Sequence, residues 1–142
     1  MKKVISFCFL LFLVACQPVQ TNDSSHITEE EVIMALQDNE IVLVKTEFPK
    51  NPYGQKLGNV KPGTYEVNTK KQLCIFEFKN DNDLKKGKIE FANRIEKMEL
   101  NTVSVFEKRN ILIIYVHQQN EISGSAPVEK EIQKALDGII EG

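Results

Sequence analysis

Tryptophan is absent from this 142-residue sequence, histidine occurs twice and cysteine three times. Neither His26 nor His117 stands at a metal-ligand spacing from the other or from a cysteine, which excludes a structural zinc site. A basic excess is missing too. The 18 Lys+Arg face 20 Asp+Glu, and binding to the phosphates of nucleic acid needs a positive surplus, so nucleic acid is not the partner this chain implies. No apolar run reaches the roughly 20 residues that a membrane-spanning helix requires. No G-x-S-x-G, glycine-rich phosphate loop, C-x-x-C or H-E-x-x-H occurs, so no residue is assigned to catalysis, a metal or a cofactor. At 42% hydrophobic and 27% charged residues, the chain is neither a disordered polymer nor a multi-span membrane protein.

What is present begins at the amino end. Lys2 and Lys3 open the chain, residues 4–14 are apolar apart from Ser6, and small Ala15 precedes Cys16. Eleven residues make a helix of roughly 16 Å, about half of a hydrocarbon core, which suits the apolar segment of an export signal rather than a span. The string Leu13-Val14-Ala15-Cys16 resembles the lipobox of bacterial lipoproteins, and the Lys- and Asn-rich remainder looks like small lipoproteins of Bacillus-like Gram-positive bacteria. That resemblance implies cleavage between Ala15 and Cys16, a diacylglyceryl group on the Cys16 thiol, and attachment to the outer side of the cell membrane. Two acyl chains, each buried methylene contributing about 0.8 kcal/mol, anchor stably where one does not. An ordinary secretory signal with a coincidental cysteine is the plainer alternative. The expected organisation is a signal peptide over 1–15, a lipid-anchored tether over 16–26 and one globular domain over 27–142. The leader takes two of the 18 Lys+Arg and none of the acids, leaving 16 against 20, a net charge of −4. The 127 residues that remain suffice for one domain and not for two. Residues 17–25, rich in Gln, Asn, Asp, Ser and Thr, bury nothing and read as a flexible link.

The body opens with Thr28-x-x-Glu31, a capping box, with Glu29 to Glu31 complementing the positive end of a helix expected to reach about residue 37. Ile27 and Val32 stand at the spacing of a hydrophobic staple. The β-branched run 41–44 reads as a buried strand continuing to 48. Residues 49–63 hold three prolines and three glycines among fifteen and read as a long irregular loop. Strands are expected over 64–68 and 72–79. In the second, Cys74, Phe76 and Phe78 share one face and Leu73 and Ile75 the other, the mark of a central strand covered on both sides. A helix capped at Asn80 or Asp81 runs to about 99 on a stripe of Leu84, Phe91, Ile95 and Met98. Gly87 weakens it by about 1 kcal/mol relative to alanine. A second hairpin covers 103–108 and 110–117. A last helix, opened by Ser125 and Pro127, buries Val128, Ile132, Ala135, Leu136 and Ile139. The order α-β-β-β-α-β-β-α, with room for a parallel crossover between the strands at 73 and 103, defines an α+β fold. Its expected form is one mixed five-stranded sheet with about three packed helices.

The opening Ile27-Thr28-Glu29-Glu30-Glu31, followed by Val32, Ala35 and Leu36, also resembles the start of PepSY-type propeptide domains. The match covers about ten residues and carries no functional residue over. Three function classes follow from the whole. A non-catalytic, membrane-tethered binding module would use the long loop, where Lys50, Tyr53, Lys56 and Lys61 stand without an acid, to meet an envelope protein or an anionic wall polymer. A modulator of an exported enzyme or membrane sensor is the alternative. A small hydrolase or thiol enzyme would need Cys74 or His117 joined to other polar groups. Against it, apolar neighbours raise a thiol's pKa, so Cys74 reads as an inert core thiol. His26 is expected in water beside the first cap, and His117 where its strand emerges.

Overall fold

A computed structural model of the chain describes residues 25–47, 52–68, 71–98, 103–117 and 126–140. The leader, the Leu13–Cys16 string, most of the tether and Lys50 lie outside these residues. Helix α1 spans Glu29–Asp38 with the capping box in place: the Thr28 hydroxyl accepts from the Glu31 amide, and the Glu31 carboxylate accepts from the Thr28 amide at 2.7 Å. Those bonds to Thr28 hold the Glu31 carboxyl below the usual range. Ile27 and Val32 are both buried, completing the staple.

Five strands follow, β1 (Leu43–Lys45), β2 (Gly63–Val67), β3 (Lys71–Glu77), β4 (Val103–Lys108) and β5 (Ile111–Val116), in the spatial order β1-β2-β3-β5-β4. Helix α2 (Asp81–Glu96) joins β3 to β4, and α3 (Ala126–Gly138) closes the described chain. The α+β class and the order of elements agree with the sequence reading. One detail is corrected: every neighbouring pair is antiparallel, so the ladders are not mixed. The crossover through α2 does bring β4 parallel to β3, with β5 inserted between them.

Period-two alternation divides the sheet into two cores. Leu73 and Ile75, with Ile111, Ile113 and Tyr115 beside them, face α1 and α3. Cys74 and Phe76, with Leu112 and Ile114, face α2 and the 52–60 segment. β3 and β5 are therefore apolar on both faces because both are covered, as predicted. The run 41–44 differs. Val42 and Val44 are 62% and 58% exposed, and among the described residues β1 pairs only with β2, so this is an edge strand, with Ile41 before it buried and Leu43 half-buried. Its β-branched residues reflect local preference for extended backbone rather than a place in the interior.

Two contacts fix how these layers meet. Gly87 of α2 lies against the Phe78 ring, where an added Cβ would stand 2.5 Å from Cζ. Glycine is thus required there by close approach, not merely tolerated. Asn110, 3% exposed in the β4–β5 turn, accepts from the Ile27 amide at 2.8 Å and donates to the carbonyls of Ile27 and Phe78 at 2.7 and 3.1 Å. It ties the start of α1 to the far hairpin. Beside the same turn, the Lys108 ammonium donates to the Leu136 and Ile139 carbonyls at 2.6 and 2.8 Å, satisfying acceptors that the end of α3 leaves open.

Candidate functional site

The 52–62 segment is held from below. Tyr53 is buried in a single 3-10 turn (Pro52–Gly54) with its ring 6.3 Å from that of Phe91. Leu57 is fully buried and exchanges both backbone bonds with Val60 at 3.0 Å, while Gly58 turns between them at φ +59°. α2 clamps the same segment with a charged pair. Arg94 bonds Glu90 at 3.0 Å and donates to the carbonyls of Pro52 and Lys56 at 3.1 and 2.7 Å, and Glu90 accepts the Gly58 amide at 2.7 Å. A loop dense in breakers thereby gains one conformation through partners on a helix about 35 residues away in sequence.

This conformation, with the end of β1 and the start of β2, encloses an open cleft of about 730 Å³. Lys45, Lys56 and Lys61 line it together with Glu29, Glu47 and Gly63. None of the three lysine ammonium groups has a hydrogen-bond or ion-pair partner among the described residues. Glu29 is engaged: the Tyr65 hydroxyl donates to its carboxylate, and burial first, then that bond and charge, raise the phenol's pKa and keep it protonated. A Cβ at Gly63 would stand against the Glu29 carboxylate, so a side chain there would displace Glu29 from its place beside Tyr65.

Of the residues singled out from sequence, Lys56 and Lys61 share this cleft. Tyr53 does not: it is 5% exposed, a core residue beneath the loop rather than a surface contact, because Phe91 and Leu57 close over it. Lys50 is outside the described residues. Lys45 was missed, since a lysine ending a strand carries no local signal, and only the β1–β2 register brings it opposite Tyr65 and beside the loop. Removing the Glu90 acceptor by Glu90→Ala should raise hydrogen exchange at the Gly58 amide about tenfold, the lower bound for losing a bond to a charged group. Unchanged exchange would show that the clamp does not hold the loop.

The other polar constellations have structural explanations. Cys74 is fully buried, and desolvation pushes its thiol up to about 12, which removes the thiolate that nucleophilic chemistry needs. It faces the α2 core, whereas His117 packs edge-on against Tyr115 at 5.1 Å between centroids on the α3 side. The sheet itself separates the two, and no dyad forms. Neither histidine is as solvated as the sequence suggests. His26 bonds Glu77 at 2.9 Å, whose second oxygen accepts the Glu29 amide at 2.8 Å. His117 is 9% exposed and lies 2.8 Å from Ser104 Oγ and 3.1 Å from Glu129 Oε1.

Serine, histidine and glutamate together invite comparison with a hydrolytic triad, but the connectivity is wrong. In a triad the acid holds the ring nitrogen opposite the one that takes the serine proton. Here Glu129 and Ser104 both approach Nε2, and Ser104 also donates directly to Glu129. The carboxylate competes for the serine proton instead of orienting the base, so the cluster fastens α3 to the ends of β4 and β5. Among the described residues, no group of three or more His, Cys, Asp or Glu side chains is arranged to hold a metal ion, and no helix is long and apolar enough to cross a membrane. Comparison with protein-family models, curated proteins and solved structures finds no match to this chain.

Proposed function

We propose that the chain is a lipid-anchored binding module on the outer side of the cell membrane, non-catalytic, holding an anionic ligand in the lysine cleft. The observation that carries the binding role is the meeting of three unpartnered ammonium groups, Lys45, Lys56 and Lys61, in one cleft of a body whose overall charge is negative. Charges left without partners on a loop that is itself firmly clamped are arranged for something other than packing, since a free lysine contributes little to stability. The Arg94–Glu90 clamp supports the same reading, because a pre-set loop loses less entropy on binding than a loose one. The anchor rests on the succession of Lys2 and Lys3, the apolar run 4–14, Ala15 and Cys16 in the sequence. A diacylated cysteine near the start of the domain keeps the cleft within the envelope, where anionic polymers, lipids and acidic protein surfaces are all available.

Reversing Lys45, Lys56 and Lys61 to glutamate together should reduce recovery of the crosslinked envelope partner from intact cells about a hundredfold, at roughly a factor of five per cation. Far-UV circular dichroism of the triple variant should match the parent, because none of the three side chains is buried. Undiminished recovery would remove the cleft from the binding surface.

A further inference from the structure

The lysine cleft lies where the chain from Cys16 arrives. Glu29, one wall of the cleft, is four residues beyond Ser25, so the two points are at most roughly 15 Å apart along any path of the backbone. Strand register gives the same placement. β1 ends at Lys45, β2 begins at Gly63, β3 ends at Glu77 and β5 begins at Ile111, and the pairs Gly63–Ile75 and Glu77–Ile111 hold these termini at one end of the sheet. At that end His26 binds Glu77 and the Ile27 amide binds Asn110, which fixes the arrival point against β3 and β5. Ser25 is nine positions beyond Cys16, a span that cannot exceed roughly 32 Å even fully extended.

Resting on the reading of Cys16 as the lipid anchor, we propose that the cleft opens toward the bilayer and takes the phosphate group of anionic phospholipid headgroups. An ammonium binds phosphate as a compact point charge with three donors. Each lysine beside an anionic bilayer contributes roughly a fivefold gain in partition, an effect that decays within a Debye length of about 8–10 Å. Cations at the tethered end come that close most readily, and three of them share this cleft. The acids of the same end decide where the phosphate sits. Glu30, Glu31, Asp81 and Asp83 occupy the first turns of α1 and α2, so the end as a whole is not a basic plate lying flat on a surface. Within the cleft the balance is positive: Glu29 and Glu47 are two carboxylates against three lysines, and the neutral Tyr65 hydroxyl bonded to Glu29 adds no charge. A single headgroup entering the cleft therefore meets a positive balance that a flat membrane would not.

The test uses the full chain reconstituted into nanodiscs of phosphatidylcholine, alone or mixed with phosphatidylglycerol, and treated with a water-soluble amine-acetylating reagent. Mass spectrometry should show Lys45, Lys56 and Lys61 modified roughly fivefold more slowly on the anionic discs. Lys97, exposed at the far end of α2, and Lys134, whose side chain is 71% exposed, should react at one rate on both. Glycerophosphoglycerol added to the neutral discs sorts the source: protection by it assigns the cleft to phosphodiesters in solution as well, and protection by the bilayer alone assigns it to headgroups. Equal rates on the two disc types, or equal slowing of Lys97 and Lys134, would overturn the phosphate site. Fatty-acid tagging lost in Cys16→Ser tests the anchor separately. Tagging with unprotected lysines rejects the site and keeps the anchor, and protected lysines without tagging do the reverse.

Discussion

Alanine in place of Asn110 should lower the free energy of unfolding by about 4 kcal/mol, the largest effect expected of any single polar substitution in this domain. The side chain satisfies three buried backbone groups at once, the amide and carbonyl of Ile27 and the carbonyl of Phe78. Each group left unpaired in the interior costs about 1–3 kcal/mol, against a total stability of about 5–15 kcal/mol for a domain of ordinary kind. Asn110→Asp separates acceptor from donors: it can still receive the Ile27 amide but can no longer donate to either carbonyl, so it should rescue at most a third of the bonds. With no tryptophan in the chain, urea unfolding followed by far-UV circular dichroism is the suitable measurement. A loss below about 1 kcal/mol for Asn110→Ala would show that water enters the site and takes over the three bonds.

Gly87→Ala carries the second large effect, and its sign opposes the local rule. In an exposed helix interior the change would stabilise by about 1 kcal/mol. Here the new methyl would stand 2.5 Å from Cζ and 2.7 Å from Cε1 of Phe78, a ring only 2% exposed and stacked on Phe76 at 6.1 Å. The ring has no open space to move into, so α2 must shift away from the sheet, and overpacking of that kind costs about 1–3 kcal/mol. The net expectation, that cost less the helix gain, is destabilisation of up to about 2 kcal/mol, read from the urea midpoint at unchanged slope. Shortening the opposing ring supplies the control. Phe78→Leu costs stability alone, but in the Gly87→Ala background it should cost less by about 1 kcal/mol, a coupling that a double-mutant cycle resolves. Additive effects would mean that the two residues do not compete for the same volume.

Much of this fold can be read from single residues and their spacing. Thr28 and Glu31 mark the start of α1 because the capping chemistry is local, spanning four residues. Cys74, Phe76 and Phe78 on one side and Leu73 and Ile75 on the other identify a strand between two cores, because a strand's geometry assigns alternate residues to opposite faces whatever surrounds it. Misreadings arise where partners are distant. The run 41–44 has the composition of an interior strand, but what decides its burial is the sheet order, and residues at an edge have one neighbour only. Tyr53 looks like a surface aromatic until Phe91, 38 positions on, is brought under it. His26 looks solvated until Glu77 arrives. Gly87 reads as a flaw in a helix because periodicity contains no information about the ring it faces. The cleft is half legible: Lys56 and Lys61 stand out as loop cations without acids, whereas Lys45 joins them only through strand register.

The clasp at Asn110 also bears on the order in which the polypeptide can acquire its shape. Ile27 waits for a residue 83 positions later, and α1 shares its core with α3, the last helix described. A ribosome or translocation channel releasing the chain from its amino end therefore delivers the first helix long before anything exists to cover it. Contacts of such wide sequence separation fold slowly, and the apolar face of α1 stays uncovered until Asn110 and α3 have emerged. α3 closes over the first helix of the described domain.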